Sequence, residues 1–315
     1  GNGLWAYTDL PREWEAWDIE ADDLQAGEEV RVAEPPEVVE AGPVRAAVRV
    51  VRRLEGAEIE QIYRLWAGSR RLEIDTVIHW RRRRTMLRAL FPLAVRSHEA
   101  WFETAFGAVA RPTHRNTSWE AARFEVPGHR WADLSEAGYG VSLLNDSRYG
   151  YSVQGNTLGL TLLRSPVYPD PLADEGVHRV IYALYPHPGD WRNGTVAEAH
   201  DLNAPMPVLG LSTGRGQWSL LGRLLSLEVQ GGGMLRLAAF KRGERGRGWI
   251  LRVYEAHGGR GWARWGGALL LRLAEPVNLL EDPIGEPLDG LGFAFSFGPY
   301  QVLSWRLELE RPPSG

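Results

Sequence analysis

The sequence predicts an all-β protein, with a large antiparallel β-sandwich region over residues 1–210 and a smaller C-terminal β-sandwich over residues 211–315. Three observations predict it. Apolar residues alternate with polar ones at a period near two, glycine-bearing turns interrupt the runs at short intervals, and no segment sustains the i, i+3, i+4, i+7 spacing of a long helix.

The elements follow in chain order. EVVEAGPVRAAVRVVRRLEGAEIEQIYRLWAGSRRLEIDTVIHW, residues 37–80, places Val44, Ala46, Val48 and Val50 on one strand face, then Ile59, Tyr63 and Leu65, then Leu72, Ile74, Thr76 and Ile78. Breaks at Gly56 and Gly68 make these consecutive antiparallel strands. LLNDSRYGYSVQGNTLGLTLLRSP, residues 143–166, reads as a β-hairpin unusually rich in polar residues, with Asn145, Asp146, Arg148, Tyr149 and Arg164. APMPVLGLSTGRGQW, residues 204–218, is rich in Pro, Gly and small polar residues and marks the boundary between the two regions. Beyond it LLSLEV, MLRLAAF, GWILRVYEAH, ALLLRLAE and QVLSWRLELE are short strands of the kind a small sandwich needs. GGGM, residues 231–234, reads most simply as a hairpin turn.

Composition bounds the function classes. A formal charge of -4 and a pI near 6.1 give no electrostatic reason to expect nucleic acid or an anionic membrane as partner. No apolar run approaches the ~20 residues of a membrane span, and residues 1–30 do not read as a secretory signal. Zero cysteines remove disulfides, thiolate metal sites and cysteine nucleophiles together. Lys241 is the single lysine, so almost all positive charge is arginine.

The eight histidines form no HExxH or comparably specific metal pattern. In PHPGD, His187 and Asp190 suit either a turn with a hydrogen-bonded imidazole or two ligands in one loop. GxSxG and phosphate-binding glycine loops are missing. A glycosidase needs paired carboxylates, but 40 acidic residues do not single out a pair. Three loops stand out instead: WEAWD at 14–18, RPTHRNTSWE at 111–120 and NDSRYG at 145–150. Each combines a ring with amide, carboxylate or guanidinium groups, which suits the CH faces and hydroxyls of a sugar. Among 14 tryptophans in a β protein, most are expected in the core, so each loop has a structural reading beside the sugar-contact one. Asn145 and Asp146 either accept from sugar hydroxyls or cap a turn.

The order of these loops resembles the C-terminal half of glycoside hydrolase family 38 α-mannosidases. The nearest likeness is to the cytosolic and bacterial branch, whose members carry WDAWD, RPTHxNTSWD, ARFEVxxHxWxDLSE, LLNDxKYG and DxGxHxFxYALxPHxG. Here the corresponding stretches are WEAWDIE, RPTHRNTSWEAARFEVPGHRWADLSE and GVSLLNDSRYG through VHRVIYALYPHPGDW, followed by LNAPM, ILRVYEAHG and VNLLED. Glu15 and Glu120 stand where the family usually has Asp, each lengthening the acidic arm by one methylene.

The resemblance implies the non-catalytic, β-rich portion of a retaining, zinc-dependent enzyme that hydrolyses terminal α-linked mannose. The family's catalytic barrel, which holds zinc on two His and two Asp, and its helical bundle have no counterpart in these residues. The resemblance therefore assigns this chain no catalytic residue and no metal ligand, and implies that the chain alone is inactive. It implies that Arg164, following the LGLTLL strand, helps bind the sugar, where the residues alone also allow a pair with an acidic neighbour at the strand end; Asn145, Asp146 and Tyr149 are further substrate-binding candidates. Arg111, His114, Asn116, Trp14, Trp17 and Asp18 are candidates for a domain interface or the rim of the sugar site. The implied partners are the N-terminal catalytic domain and mannose-containing glycans, and the implied location is cytoplasmic. An autonomous carbohydrate-binding sandwich and a purely structural or oligomerisation domain are the alternatives.

Overall fold

The computed structural model describes residues 2–21, 24–25, 27–207, 226–244, 246, 248–266, 271–289 and 293–309. The chain divides into two compact units, residues 1–104 with 109–206, and residues 105–108 with 207–315. The expected division at 210/211, and most of the 204–218 segment, lie outside the described residues.

Up to residue 206 the elements are β1 (Gly3–Thr8), β2 (Gly27–Glu29), β3 (Glu37–Ala41), β4 (Arg45–Leu54), β5 (Ala57–Trp66), β6 (Leu72–Trp80), β7 (Thr85–Pro92), β8 (Glu99–Thr104) and β9 (Gly107–Pro112). There follow α1 (Ser118–Ala121), β10 (Val126–Pro127), β11 (Trp131–Ser135), β12 (Tyr139–Asn145), β13 (Gly150–Gln154), β14 (Thr157–Leu163), β15 (Gly176–Pro188) and α2 (Thr195–Asn203). A six-stranded sheet runs β10-β13-β14-β7-β1-β2, and a nine-stranded sheet runs β3-β4-β5-β6-β15-β12-β11-β8-β9. Leu4, Leu87, Phe91, Leu158 and Leu160 of the first sheet share one core with Ile59, Ile74, Ile78, Phe102, Leu143 and Val180 of the second. Each such side chain, fully buried, contributes about 1.5–3 kcal/mol. This is a face-to-face sandwich.

The alternation places its residues unevenly. On β6, Ile74, Thr76 and Ile78 are buried as one row, but on β4 the row Val44, Ala46, Val48 and Val50 is buried only at Val50. Arg52 enters the interior instead. Its guanidinium donates to the side-chain oxygen of Gln61 and to the carbonyls of Val30 and Asn2, so burial leaves the charge fully engaged.

The 143–166 segment is not one hairpin. β13 and β14 pair around Gly155, whereas Leu143 to Asn145 end β12 in the opposite sheet, and residues 146–149 cross between sheets. α1 begins with a capping box: Thr117 accepts from the Glu120 N–H, and Glu120 accepts from the Thr117 N–H. The longer acidic arm at position 120 suits this role, since Glu is the favoured N3 residue.

In the second unit the strands are β16 (Ser226–Gly231), β17 (Leu235–Arg242), β18 (Trp249–Glu255), β19 (Gly261–Gly266), β20 (Leu271–Pro276), β21 (Leu288–Asp289), β22 (Ala294–Phe297) and β23 (Val302–Leu309). A three-stranded sheet β16-β19-β22 faces a five-stranded sheet β17-β18-β23-β20-β21 over Leu251, Val253, Trp265, Phe293, Trp305 and Leu307. The GGGM hairpin expectation is overturned, because β16 and β17 belong to different sheets and residues 232–234 carry the chain from one to the other. The glycines are needed by close approach: a Cβ on Gly259 would lie 2.3 Å from the Gly232 carbonyl oxygen, and Gly231 has φ +116°.

Candidate functional site

Register brings one set of strand ends together. Thr8 at the end of β1 pairs with Thr85 at the start of β7, and Leu87 of β7 pairs with Leu163 at the end of β14. The segments that follow, from residue 9 and from residue 164, therefore emerge side by side. Backbone bonds tie them: the Asp9 N–H donates to Arg84 O at 2.9 Å, and the Arg84 N–H to Ser165 O at 2.7 Å.

Arg164 stands at their centre. Its Nε donates to Asp9 Oδ2 at 2.7 Å and its Nη2 to Asp9 Oδ1 at 3.2 Å. The Asp9 side chain is 1% exposed and that of Arg164 17%, so the pair is mostly desolvated and held by a two-point fork. Asp174 Oδ2 accepts the N–H groups of Arg164 and Ser165, and the indole N–H of Trp80 donates to Ser165 Oγ. Glu15 Oε2 accepts the N–H groups of Val167 and Tyr168, each at 3.0 Å, while Glu15 Oε1 lies 2.9 Å from Arg84 Nη2. The 9–18 loop is thereby fastened to the 164–174 loop by carboxylates.

Backbone strain and ring exposure concentrate at the same place. Seven described non-glycine residues have positive φ, and four of them, Trp14, Arg84, Ser165 and Asp174, belong to these segments. Each left-handed residue costs about 1–2 kcal/mol. Trp14, Trp17 and Tyr168 are 64%, 65% and 63% exposed, beside exposed Leu10 and Leu172. The two indoles pack edge to face at 6.4 Å, and the Asp18 N–H closes their turn on Trp14 O. Core burial does not account for these rings.

The other sequence candidates separate into two groups. Asn145 is buried and fully engaged: its Nδ2 donates to His129 O and the Tyr151 hydroxyl, and its Oδ1 accepts the N–H groups of Ser147 and Arg148. That is an Asx turn at the end of β12. Asp146 accepts from the Ser147 hydroxyl, and Arg148 donates its Nε to Leu162 O, attaching this crossover two residues before Arg164. Tyr149 is exposed, with its ring 5.9 Å from that of His129.

Arg111 and His114 line a different cleft, walled by α1, β10 and β13. Asn116 is exposed and donates its N–H to Glu120, and Trp119 in the same segment is exposed. Burial, with Arg123 adding like charge, holds the Arg111 guanidinium below its ordinary pKa. His187 is buried on β15 with Nε2 2.7 Å from Asp133 Oδ2, whereas Asp190 pairs with Arg192. The hydrogen-bonded reading of that histidine is the one the geometry takes.

Sequence reasoning missed Asp9, Arg84 and Asp174. Asp9 lies 155 residues from Arg164, and a lone acid at a strand end carries no pattern that names its partner. Among the described residues, no three His, Cys, Asp or Glu side chains converge as metal ligands. No helix there is long and apolar enough to cross a membrane.

Comparisons with known proteins place these features in context. The family described as "Glycosyl hydrolases family 38 C-terminal domain" matches residues 1–172, and "Glycosyl hydrolases family 38 C-terminal beta sandwich domain" matches residues 234–305. Alpha-mannosidase 2C1 of Homo sapiens is 36% identical over 324 residues, covering 99% of this chain and 30% of the relative. An alpha-mannosidase of Saccharomyces cerevisiae is 33% identical over 336 residues, covering 96% of this chain and 30% of the relative. The chain thus spans about 30% of the length of these curated relatives. The crystal structure of an alpha-mannosidase from Enterococcus faecalis superposes with a TM-score of 0.79 at 17% identity, covering 98% of this chain and 38% of that one, a likeness of fold.

Proposed function

Because this chain belongs to the glycosyl hydrolase family 38 C-terminal domain family, we propose that it is the non-catalytic portion of an α-mannosidase and contributes Arg164 to the sugar site formed with a catalytic domain. The observation that carries the proposal is the end of the first unit where Arg164, four left-handed non-glycine residues and exposed Trp14, Trp17 and Tyr168 meet. Strained backbone held by carboxylates is a way of fixing side chains at a functional surface.

In this reading each part has a task. Asp9 aligns the guanidinium through Nε and Nη2, leaving Nη1, which makes no hydrogen bond among the described residues, to donate outward to a sugar hydroxyl or a catalytic carboxylate. Trp14, Trp17 and Tyr168 offer apolar faces to the catalytic domain or to the CH face of a sugar. Fixing a reacting sugar within about an ångström is worth ~10²-fold in rate, so such a portion is necessary without touching the bond that breaks. The resemblance also implies zinc and a retaining mechanism. The described residues offer no ligand set that fits the metal, so both belong, in this proposal, to the catalytic domain.

Hydrolysis of an aryl α-mannoside tests the assignment. The chain alone is expected to give no turnover and no stoichiometric zinc, and the enzyme carrying both portions to give turnover. Activity of the purified chain alone, or full activity of a catalytic portion without it, would contradict the proposal.

A further inference from the structure

A second region of the first unit carries chemistry that the site centred on Arg164 does not use. RPTHRNTSWEAARFE folds along the β13 edge and closes a small cleft lined by Arg111, Arg115 and Arg123, with His114, Glu120 and Glu125 also on its walls. Its interior volume of about 30 Å³ is on the scale of two waters or one compact ion, too small for a sugar ring.

The cleft has more positive than negative groups on its walls, and its guanidiniums are unpaired among the described residues. Among the described residues none of the three guanidiniums makes a hydrogen bond or an ion pair. Arg111 Nη1 is buried with no hydrogen-bond partner among the described residues, although a buried guanidinium ordinarily has its donors satisfied. The two carboxylates are engaged elsewhere. Glu120 takes the N–H groups of Asn116 and Thr117 and lies 3.3 Å from His114 Nδ1. Glu125 takes the Thr161 hydroxyl and lies 3.5 Å from Arg88 Nε.

Two of the guanidiniums are also held in place. Arg111 lies 4.7 Å over the Phe102 ring and Arg115 lies 5.5 Å from the Phe124 ring. Cation–π contact with the rings leaves the N–H groups of these guanidiniums to donate. Bringing like charges together is costly, and burial, with Arg123 adding like charge, holds the Arg111 guanidinium below its ordinary pKa, a cost that a bound counter-charge would offset.

We propose that this cleft is an anion site, taking a compact oxyanion of the phosphate or carboxylate class between Arg111, Arg115 and Arg123. The ligand's oxygens accept from the guanidinium edges in the two-point manner that arginine favours.

Thermal unfolding and calorimetric titration of the 315-residue chain with inorganic phosphate, and separately with malonate, test the site against chloride at matched ionic strength. The expected result is saturable binding and a Tm rise of about 2–4 °C. Arg111→Gln and Arg123→Gln are expected to weaken it about tenfold or more. Arg115→Gln serves as the exposed variant should Arg111→Gln fail to fold, and Arg96→Gln, an exposed arginine outside the cleft, is expected to change nothing. Binding of both anions in competition assigns the shared oxyanion chemistry, and binding of one assigns its class. The proposal is overturned if neither anion gives a saturable shift, if the cleft variants titrate as the parent does, or if Arg96→Gln weakens binding as much as they do.

Discussion

Asp9 and Arg164 form a structural pair, and in the proposed function the same guanidinium is also a presenting group. Asp9 is almost wholly buried, and the guanidinium offsets the cost of burying its charge. Arg164→Ala is therefore expected to destabilise the chain by about 3–5 kcal/mol, read as a lower urea midpoint. Arg164→Lys keeps the charge and should lose less. Trp14→Ala and Trp17→Ala should each change stability by no more than about 0.5 kcal/mol, because the rings already face solvent. A large loss at either tryptophan would mean that the rings support the fold. The sequence could single out Arg164 by its place after the LGLTLL strand, but it could not supply Asp9, because only the pairing of β1, β7 and β14 makes residues 9 and 164 neighbours.

At the scale of elements, the end of β18 makes a falsifiable claim about acid stability. Burial alone would raise the Glu255 carboxyl, but the N–H groups of Tyr300, His257, Met234 and Gly258 all donate to it and hold its pKa below the usual carboxylate value. A depressed folded pKa means that the unfolded chain binds the proton more readily, so this stabilisation is present above about pH 4.3, the unfolded value, and is lost as pH falls through the folded one. Glu255→Gln should lower stability at pH 7 and flatten the loss below pH 4; an unchanged acid limb would remove Glu255 from the account. Strands were legible in the sequence where one face is apolar, as on β6. They were less so on β4 and β5, where Arg52 and Gln61 occupy interior positions because hydrogen bonds within the nine-stranded sheet and to Asn2 and Val30 satisfy them. GGGM looked like a turn because glycine marks turns, and periodicity carries no information about which sheet a strand joins.

For the whole molecule, the all-β character was legible from alternation and the family from motifs spread through both units. The geometry of the candidate site was not, since it depends on loops fastened across long sequence separations. Far-UV circular dichroism should be dominated by β-sheet, with little helix beyond α2; a helical spectrum would refute the architecture. In the proposed function the exposed rings and strained loops at one end of the first unit have a reason, as a surface for the catalytic portion or the sugar. The measurement that tests this most directly is the Arg164→Lys variant in the enzyme carrying both the catalytic portion and this chain, with kcat/KM on an aryl α-mannoside and Tm taken from one preparation. Losing a guanidinium bond worth roughly 1.5–3 kcal/mol should lower kcat/KM on the order of 10- to 100-fold in protein that remains folded and keeps its metal. A lowered Tm with kcat/KM unchanged in the folded enzyme would make Arg164 only the partner of Asp9 and contradict the proposed role.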